Sequence, residues 1–190
     1  TFDLSNSIGY KASRVKFYNL FINNDYKGLY VLMEKIKRDQ NRVDVTELEG
    51  DNVNGGYIIK IDKPTSDGGG CNTCYEDSFS FRSTYDENGY LSDDSPIYFI
   101  YHYPKPEDIF NNQKDHISSI INQFETVLAS DNFDSADTGY QSLIDIDSFI
   151  DFFIINEITK HIDGYRLSTY INVDIDQKIK MGPIWDFDLS

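Results

Sequence analysis

The chain has 190 residues, of which 39% are hydrophobic, and carries a formal net charge of −15. Its 13 Phe and 14 Tyr can fill a core, which argues against disorder. The acidic balance argues against DNA, RNA or an anionic membrane surface as a partner, because phosphate groups attract basic faces. No apolar run is long enough to predict a transmembrane helix.

The first segment predicts a β-hairpin followed by a charged stretch. Ser13 to Ile22 and Leu29 to Met33 are rich in apolar and aromatic residues. The polar residues between them, which include Asn23-Asn24, have the composition of a turn. Glu34 to Arg42 predicts either a strand end or a short helix.

Three further strands are predicted before the composition changes. They cover Tyr57 to Asp62, Phe79 to Arg82 and Ile97 to Tyr101. A loop is predicted at Lys63 to Asp77 and a turn at Asp86 to Gly89. The loop contains Cys71 and Cys74, which lack the further ligands of a zinc site, so a local disulfide and two free thiols are both open.

Two helices follow. Pro104 to Asp108 has the residues of a helix start, because Pro suits the first turn and acids suit the positive end of the helix dipole. The apolar positions of this first helix are Ile117, Ile120, Ile121, Phe124 and Leu128. Asp145 or Asp147 is the predicted cap of the second helix. Its predicted apolar stripe comprises Ile146, Phe149, Ile150, Phe153, Ile154 and Ile158.

Two aspartates lie at the ends of a predicted C-terminal hairpin. Asp163 follows the second helix, and Asp186 lies 23 residues later. Arg166 to Val173 and Lys178 to Ile184 predict the two intervening strands. Because a hairpin returns the chain to its start, the two carboxylates should lie close together. A helix, an Asp loop, a hairpin and an Asp-Phe pair are also how protein kinases arrange a catalytic base and a metal-binding Asp, which favours phosphoryl transfer.

Asp186 and Asp188 are a candidate metal site. They flank Phe187 directly after an apolar strand, where carboxylates must be paired or bind a cation. Two oxygen ligands suit Mg²⁺ when phosphate oxygens complete its shell.

Four charged residues are candidates for phosphate contact. Lys60 and Glu34 lie on or beside strands, and they are either the phosphate-anchoring pair of a kinase or two solvated charges at a strand edge. Arg166 and Lys160, near Asp163, are further candidates.

Other chemistries fit less well. Gly68-Gly69-Gly70 is not followed by the Lys-Ser/Thr of a phosphate loop. A calcium loop from Asn172 would have Gln177 where Gly is required and Pro183 where Glu is required, which leaves only weak surface calcium binding open. Carboxylates such as Glu157 show no spacing that supports a glycosidase. The three histidines, at positions 102, 116 and 161, predict no metal cluster.

Taken together, five sequence segments resemble the CotH family of spore coat protein H-like atypical kinases. They are Gly28 to Glu34, Gly55 to Lys63, Tyr103 to Pro106, Asn156 to Tyr170 and Gly182 to Asp188. The resemblance runs from about Ser13 to the last residue. It implies an α+β, diverged protein-kinase-like fold that binds ATP with Mg²⁺ or Mn²⁺. We expect one domain over 1–190, incomplete at both ends, with a β-rich nucleotide-side part at 13–101 and a helical, catalytic part at 104–190.

The resemblance also implies roles for individual residues. Asp163 matches the catalytic aspartate and Asp186 the metal-binding aspartate, with Asp188 as its neighbour. Ser168 lies five residues after Asp163, where a kinase catalytic loop has its metal-binding Asn.

The implied substrate is Ser in secreted or surface proteins, and the implied location is extracytoplasmic: secreted, at the cell surface or in a spore coat. The alternative is a non-catalytic surface or coat-assembly module that keeps the same fold.

Overall fold

The computed structural model describes residues 1–64, 75–87 and 97–189. Cys71 and Cys74 lie outside these ranges, as do parts of the predicted loop at 63–77 and the predicted turn at 86–89. In chain order the elements are α1 (Phe2–Ser7), β1 (Val15–Ile22), β2 (Asp25–Met33), β3 (Tyr57–Ile61), β4 (Ser80–Arg82), α2 (Thr84–Glu87), β5 (Tyr98–Tyr103), α3 (Asn111–Leu128), α4 (Ile146–Thr159), β6 (Thr169–Val173) and β7 (Ile179–Ile184). Helices and antiparallel sheets confirm the α+β class.

The main sheet combines strands from 57–103 with strands from 169–184. Its five strands are ordered β4-β5-β3-β6-β7, and each neighbouring pair is antiparallel. The central strand β3 is apolar and β-branched, as suits a strand covered on both faces. It pairs with β6 through Ile59 and Ile171. The predicted parts 13–101 and 104–190 therefore share one sheet.

Helix α3 covers one face of this sheet. Ile117, Ile120 and Ile121 pack against Tyr57 and Ile59 of β3, as the helical spacing predicted. The helix begins later than the sequence indicated, because 104–108 forms a turn instead. At its start, the Gln113 side chain accepts a hydrogen bond of 3.0 Å from the backbone N–H of Phe110, which satisfies a donor that the helix leaves unpaired.

Helix α4 buries a different face from the one predicted. Asp145 is its N-cap, with its carboxylate accepting from the backbone N–H of Ser148 at 3.0 Å. The buried residues are Phe152, Ile155 and Asn156, which pack toward β7. Most of the predicted stripe faces outward instead: Ile146, Ile150, Phe153, Ile154 and Ile158 are exposed. Only Phe149 of that stripe packs against the main core.

The first hairpin stands apart from the main sheet. Asn23 and Asn24 form a two-residue turn with φ of +51° and +64°, a conformation that Asn tolerates and that suits the twist of a hairpin. Large apolar side chains are exposed on both faces: Phe17, Tyr18, Phe21, Ile22, Tyr26, Leu29, Tyr30, Val31 and Leu32. The charged stretch 34–42 that follows is irregular, neither strand end nor helix. In the described ranges, no helix is long and apolar enough to cross a membrane.

Candidate functional site

The loop at 160–168, which carries Asp163, joins α4 to β6. Lys160 directly follows the last residue of α4, and its φ of +54° turns the chain out of the helix. The backbone N–H of His161 still donates to Asn156 at 3.1 Å, and that of Leu167 donates to Asp163 at 3.0 Å. Gly164 approaches the buried Asn156 so closely that an added Cβ would lie 2.1 Å from the amide oxygen. The loop is therefore packed against the end of α4.

Both ends of this loop contact the Asp186 segment. At the first end, the buried ring of His161 stacks on Phe187 with centroids 4.0 Å apart and planes inclined by 17°. At the second end, the Ser168 hydroxyl donates to Oδ2 of Asp186 at 3.1 Å. The segments that carry Asp163 and Asp186 are therefore in contact, as the predicted hairpin led us to expect.

The backbone at these contacts is unusual. Ser168 has φ of +53° and Asp186 has φ of +60°, in the left-handed region that residues with a side chain rarely adopt. Tyr165 at the top of the loop also has positive φ, and its hydroxyl donates to Glu157 of α4 at 3.0 Å. Such conformations persist where surrounding contacts fix them, and they concentrate at functional sites.

Asp163 is partly exposed and forms an ion pair with Arg166. Its Oδ1 lies 3.0 Å from a guanidinium nitrogen of Arg166, three residues along. The Asp163 side chain is 26% exposed and that of Arg166 is 72% exposed. The carboxylate is therefore accessible to a hydroxyl group from solvent, and the guanidinium remains in the open.

The candidate metal residues lie together only in part. Asp186 and Ser168 are in direct contact, and Asp188 is exposed one residue beyond Phe187. Within 1–64, 75–87 and 97–189, no group of three or more His, Cys, Asp or Glu side chains could hold a metal ion. Mg²⁺ does not require such a group, since one or two carboxylates with phosphate oxygens and water suffice. The oxygen-only set of Asp186, Asp188 and Ser168 fits that chemistry.

Lys60 lies at the same end of the sheet. Lys60 is buried in β3. The next residue of that strand, Ile61, pairs with Thr169, which directly follows Ser168. Its ammonium lies 3.6 Å from Oδ2 of Asp62, which is two residues along. Asp62 was not a predicted site residue, although residues two apart share a face of a strand.

Glu34 is engaged elsewhere. Its carboxylate accepts from the backbone N–H of Arg14 at 3.0 Å, pairs with the Arg14 guanidinium and lies 3.8 Å from Arg42. The hydrogen bonds from Arg14 lower the pKa of Glu34 to about 2. The structure therefore does not bring Lys60 and Glu34 together as a kinase-like pair: each has a different charged partner.

Sequence reasoning also missed the stacking of His161 on Phe187. A signal was present, because each aromatic ring sits beside a candidate aspartate: His161 two residues before Asp163, and Phe187 directly after Asp186. This stack brings the Asp163 loop and the Asp186 segment into contact.

The chain belongs to the CotH family. It matches the family described as CotH kinase protein over residues 1–190, the whole sequence. No curated protein and no solved structure matches it. The family membership indicates a kinase-type domain.

Proposed function

We propose that this domain is an ATP- and Mg²⁺- or Mn²⁺-dependent protein serine kinase with a diverged kinase-like fold. One observation carries the proposal: the Asp163 loop contacts the Asp186 segment at both ends, through His161 on Phe187 and Ser168 on Asp186. A catalytic base and a metal-binding carboxylate must be held in fixed relation for phosphoryl transfer, because the catalysis consists mainly of positioning and charge stabilisation.

In this proposal Asp163 orients the substrate Ser hydroxyl and accepts its proton. The Ser oxygen forms a bond to the γ-phosphorus as the bond from that phosphorus to the β-phosphate oxygen breaks, and ADP leaves. Arg166, 3.0 Å from Asp163, holds the carboxylate in place and is exposed enough to contact a phosphate. Lys60, at the same end of the sheet, is the second candidate for phosphate contact.

Asp186, with Asp188 and Ser168, would hold the divalent ion, which when bound neutralises phosphate charge. Asp186 keeps one carboxylate oxygen outside its hydrogen bond to Ser168. Glu34 is proposed to act indirectly, by fixing Arg14 and Arg42 at the base of the first hairpin. The family resemblance further supports Ser of secreted, surface or spore coat proteins as the substrate, and an extracytoplasmic location.

Thermal stability with and without nucleotide tests the proposal. ATP with Mg²⁺ should raise the unfolding temperature, since a ligand at a hundredfold excess over its Kd stabilises by about 2.7 kcal/mol. Asp163→Asn should keep this stabilisation, because the base does not hold the nucleotide, and should lose transfer of the γ-phosphate. If the wild-type chain gains no stability from ATP with either metal ion, the kinase proposal fails.

The alternative is a non-catalytic surface or coat-assembly module. The exposed apolar side chains on both faces of the β1–β2 hairpin favour it, because large exposed apolar patches mark interaction sites. This alternative predicts normal folding and no response to nucleotide in the same experiment.

A further inference from the structure

The positive charge of the chain is concentrated in one segment. Residues 11–42 contain eight Lys and Arg against three Asp and Glu, a net charge of +5, whereas the whole chain carries −15. This segment includes the β1–β2 hairpin and the irregular stretch after it. A basic surface on a strongly acidic protein indicates a specific anionic partner rather than general attraction to polyanions.

A groove runs along the base of this segment. It consists of three adjoining depressions, of which the middle one shares lining residues with each of the others. One wall contains 180–183 of β7, so the groove extends for about 10 Å along that strand alone. Its charged lining consists of Lys11, Arg14, Lys16, Lys35, Arg42 and Lys180, with Glu34 and Asp44 as the acidic members. The lining therefore has a net charge of +4 in an acidic molecule.

Lys16 lies over the ring of Tyr18, 5.3 Å from its centroid, and two other basic side chains of the lining are uncompensated. Arg14 and Arg42 share Glu34, and Lys180 lies 3.0 Å from Asp176. Neither Lys11 nor Lys35 has a carboxylate partner in the part of the chain that the structure describes. Apolar side chains such as Val43 and Pro183 lie between these charges. The groove is elongated, its cationic side chains are spaced along it, and its floor is apolar. This combination suits an extended peptide that carries carboxylates.

The groove leads toward the candidate site. Ala12 forms a parallel bridge with Ile184, so the strand that enters the hairpin runs in the same direction as the chain that reaches Asp186. Pro183, at the groove wall, is three residues before Asp186, which corresponds to about 10 Å of extended chain. A peptide in the groove would therefore lie within a few residues of Asp163 and Asp186.

We infer that this groove binds an extended acidic segment of a protein partner. Lys11 and Lys35 are the main contacts for its carboxylates, and the apolar floor contacts the intervening residues. Peptide binding would be a function additional to phosphoryl transfer. The inference is based on the charges and the shape of the groove, so it does not depend on the kinase proposal. It adds a docking surface next to the proposed kinase site.

Fluorescence anisotropy tests this inference in the absence of nucleotide. The probe is a labelled twelve-residue peptide in which Glu alternates with Ala, and the comparison peptide has Gln in place of every Glu. The Glu peptide should bind and the Gln peptide should not, and the affinity should fall as salt is raised, because salt screens exposed charges. Equal binding of both peptides, or none by the Glu peptide, would overturn the inference.

A matched pair of double variants locates the site. Lys11→Gln with Lys35→Gln should weaken binding about three- to tenfold, the range expected for losing two exposed charge contacts. Lys63→Gln with Lys178→Gln removes the same charge from exposed positions outside the groove and should leave binding unchanged. If both double variants weaken binding equally, the groove is not the site. Tighter binding of a single-stranded oligonucleotide than of the Glu peptide would contradict the choice of a protein partner.

The same variants separate this inference from the kinase proposal. Lys11→Gln with Lys35→Gln should keep the thermal stabilisation by ATP and Mg²⁺. If this double variant loses both the stabilisation by ATP and the binding of the peptide, the groove binds the nucleotide and the inference of peptide docking is wrong. Absence of nucleotide stabilisation in the wild-type chain, with peptide binding intact, would sink the kinase proposal alone.

Discussion

Asp186 combines an unusual backbone with a polar contact. Its φ of +60° lies in the left-handed region, and its carboxylate accepts a hydrogen bond from Ser168, whose own φ is +53°. Short polar side chains such as Asp and Asn tolerate this region better than others, because they can hydrogen-bond locally. The position therefore restricts which substitutions can test its chemistry without disturbing the fold.

Asp186→Asn is the suitable test. The amide oxygen can still accept from Ser168 and Asn tolerates positive φ, so the free energy of unfolding without ligand should change by less than about 0.5 kcal/mol. Stabilisation by ATP with Mg²⁺ should disappear, because the amide is uncharged. Urea unfolding with and without the ligand measures both quantities. An unchanged response to Mg²⁺ and ATP would remove Asp186 from the proposed metal site.

Glu34 should make stability depend on pH in acid. Hydrogen bonds from Arg14 lower its pKa to about 2, below the ordinary value of about 4.3. The stabilisation is therefore complete above the ordinary value and is lost as the pH falls toward 2, where the folded state also takes up the proton. Because the Arg14 side chain is 75% exposed, the contribution should be at most about 1 kcal/mol.

Glu34→Gln isolates this effect from the other carboxylates. Urea unfolding of wild type and variant at pH 7, 4 and 2.5 should give a difference that is largest at pH 7 and shrinks in acid. A difference that stays constant over this range would show that the charge of Glu34 does not contribute.

At the scale of elements, α4 shows why the sequence could not choose a buried face. Apolar residues occur almost all round this helix: Ile146, Phe149, Ile150, Phe152, Phe153, Ile154, Ile155 and Ile158. Periodicity selects a face only when polar residues occupy the opposite one. The contacts with β7 decide instead, and they bury Phe152 and Ile155 together with the polar Asn156.

Two adjacent phenylalanines test this assignment. Phe152 is 5% exposed and Phe153 is 56% exposed. Phe152→Ala should lower the free energy of unfolding by about 3–5 kcal/mol, because it leaves a cavity. Phe153→Ala should change it by less than about 0.5 kcal/mol, as surface substitutions do. Equal losses in chemical denaturation would mean that the outer face of α4 is covered in the folded protein.

Other elements were predictable because their signals were local. The Asn23-Asn24 turn, the apolar strand at 57–61 and the cap at Asp145 each depend on residues close in sequence. The late start of α3 was not predictable from Pro104 to Asp108, since the backbone N–H of Phe110 is capped by Gln113, and Gln113 in turn donates to Gly50 and Asn52 far away in the chain.

The same division holds for the candidate site. The hairpin between Asp163 and Asp186 could be read from the sequence, and with it the approach of their two segments. The charged partners of Lys60 and Glu34 could not be predicted from the sequence, because Glu34 pairs with Arg14 across the base of a separate hairpin. The opposite charges of Lys60 and Glu34 suggest an ion pair, but only the fold determines which opposite charge lies nearest to each side chain.

For the molecule as a whole, net charge should limit stability. The rest of the chain carries −20, and the +5 of the basic segment at 11–42 leaves a net charge of −15 on one domain, which causes self-repulsion. Raising NaCl from low concentration to about 0.5 M shortens the Debye length to a few ångströms and should raise the unfolding temperature. Differential scanning calorimetry at several salt concentrations measures this. A fall in the unfolding temperature would show that attractive ion pairs outweigh the repulsion.

The pairing of β3 with β6 has a consequence for synthesis. Tyr57 and Val173 are register partners although they lie 116 positions apart in the sequence. Contacts between residues so far apart form slowly, because a long loop must first close. On the ribosome, one edge of β3 therefore stays unpaired until β6 has emerged. Asp186 follows β6 and β7 in the sequence, so a nascent chain that has not yet exposed these strands carries no assembled site.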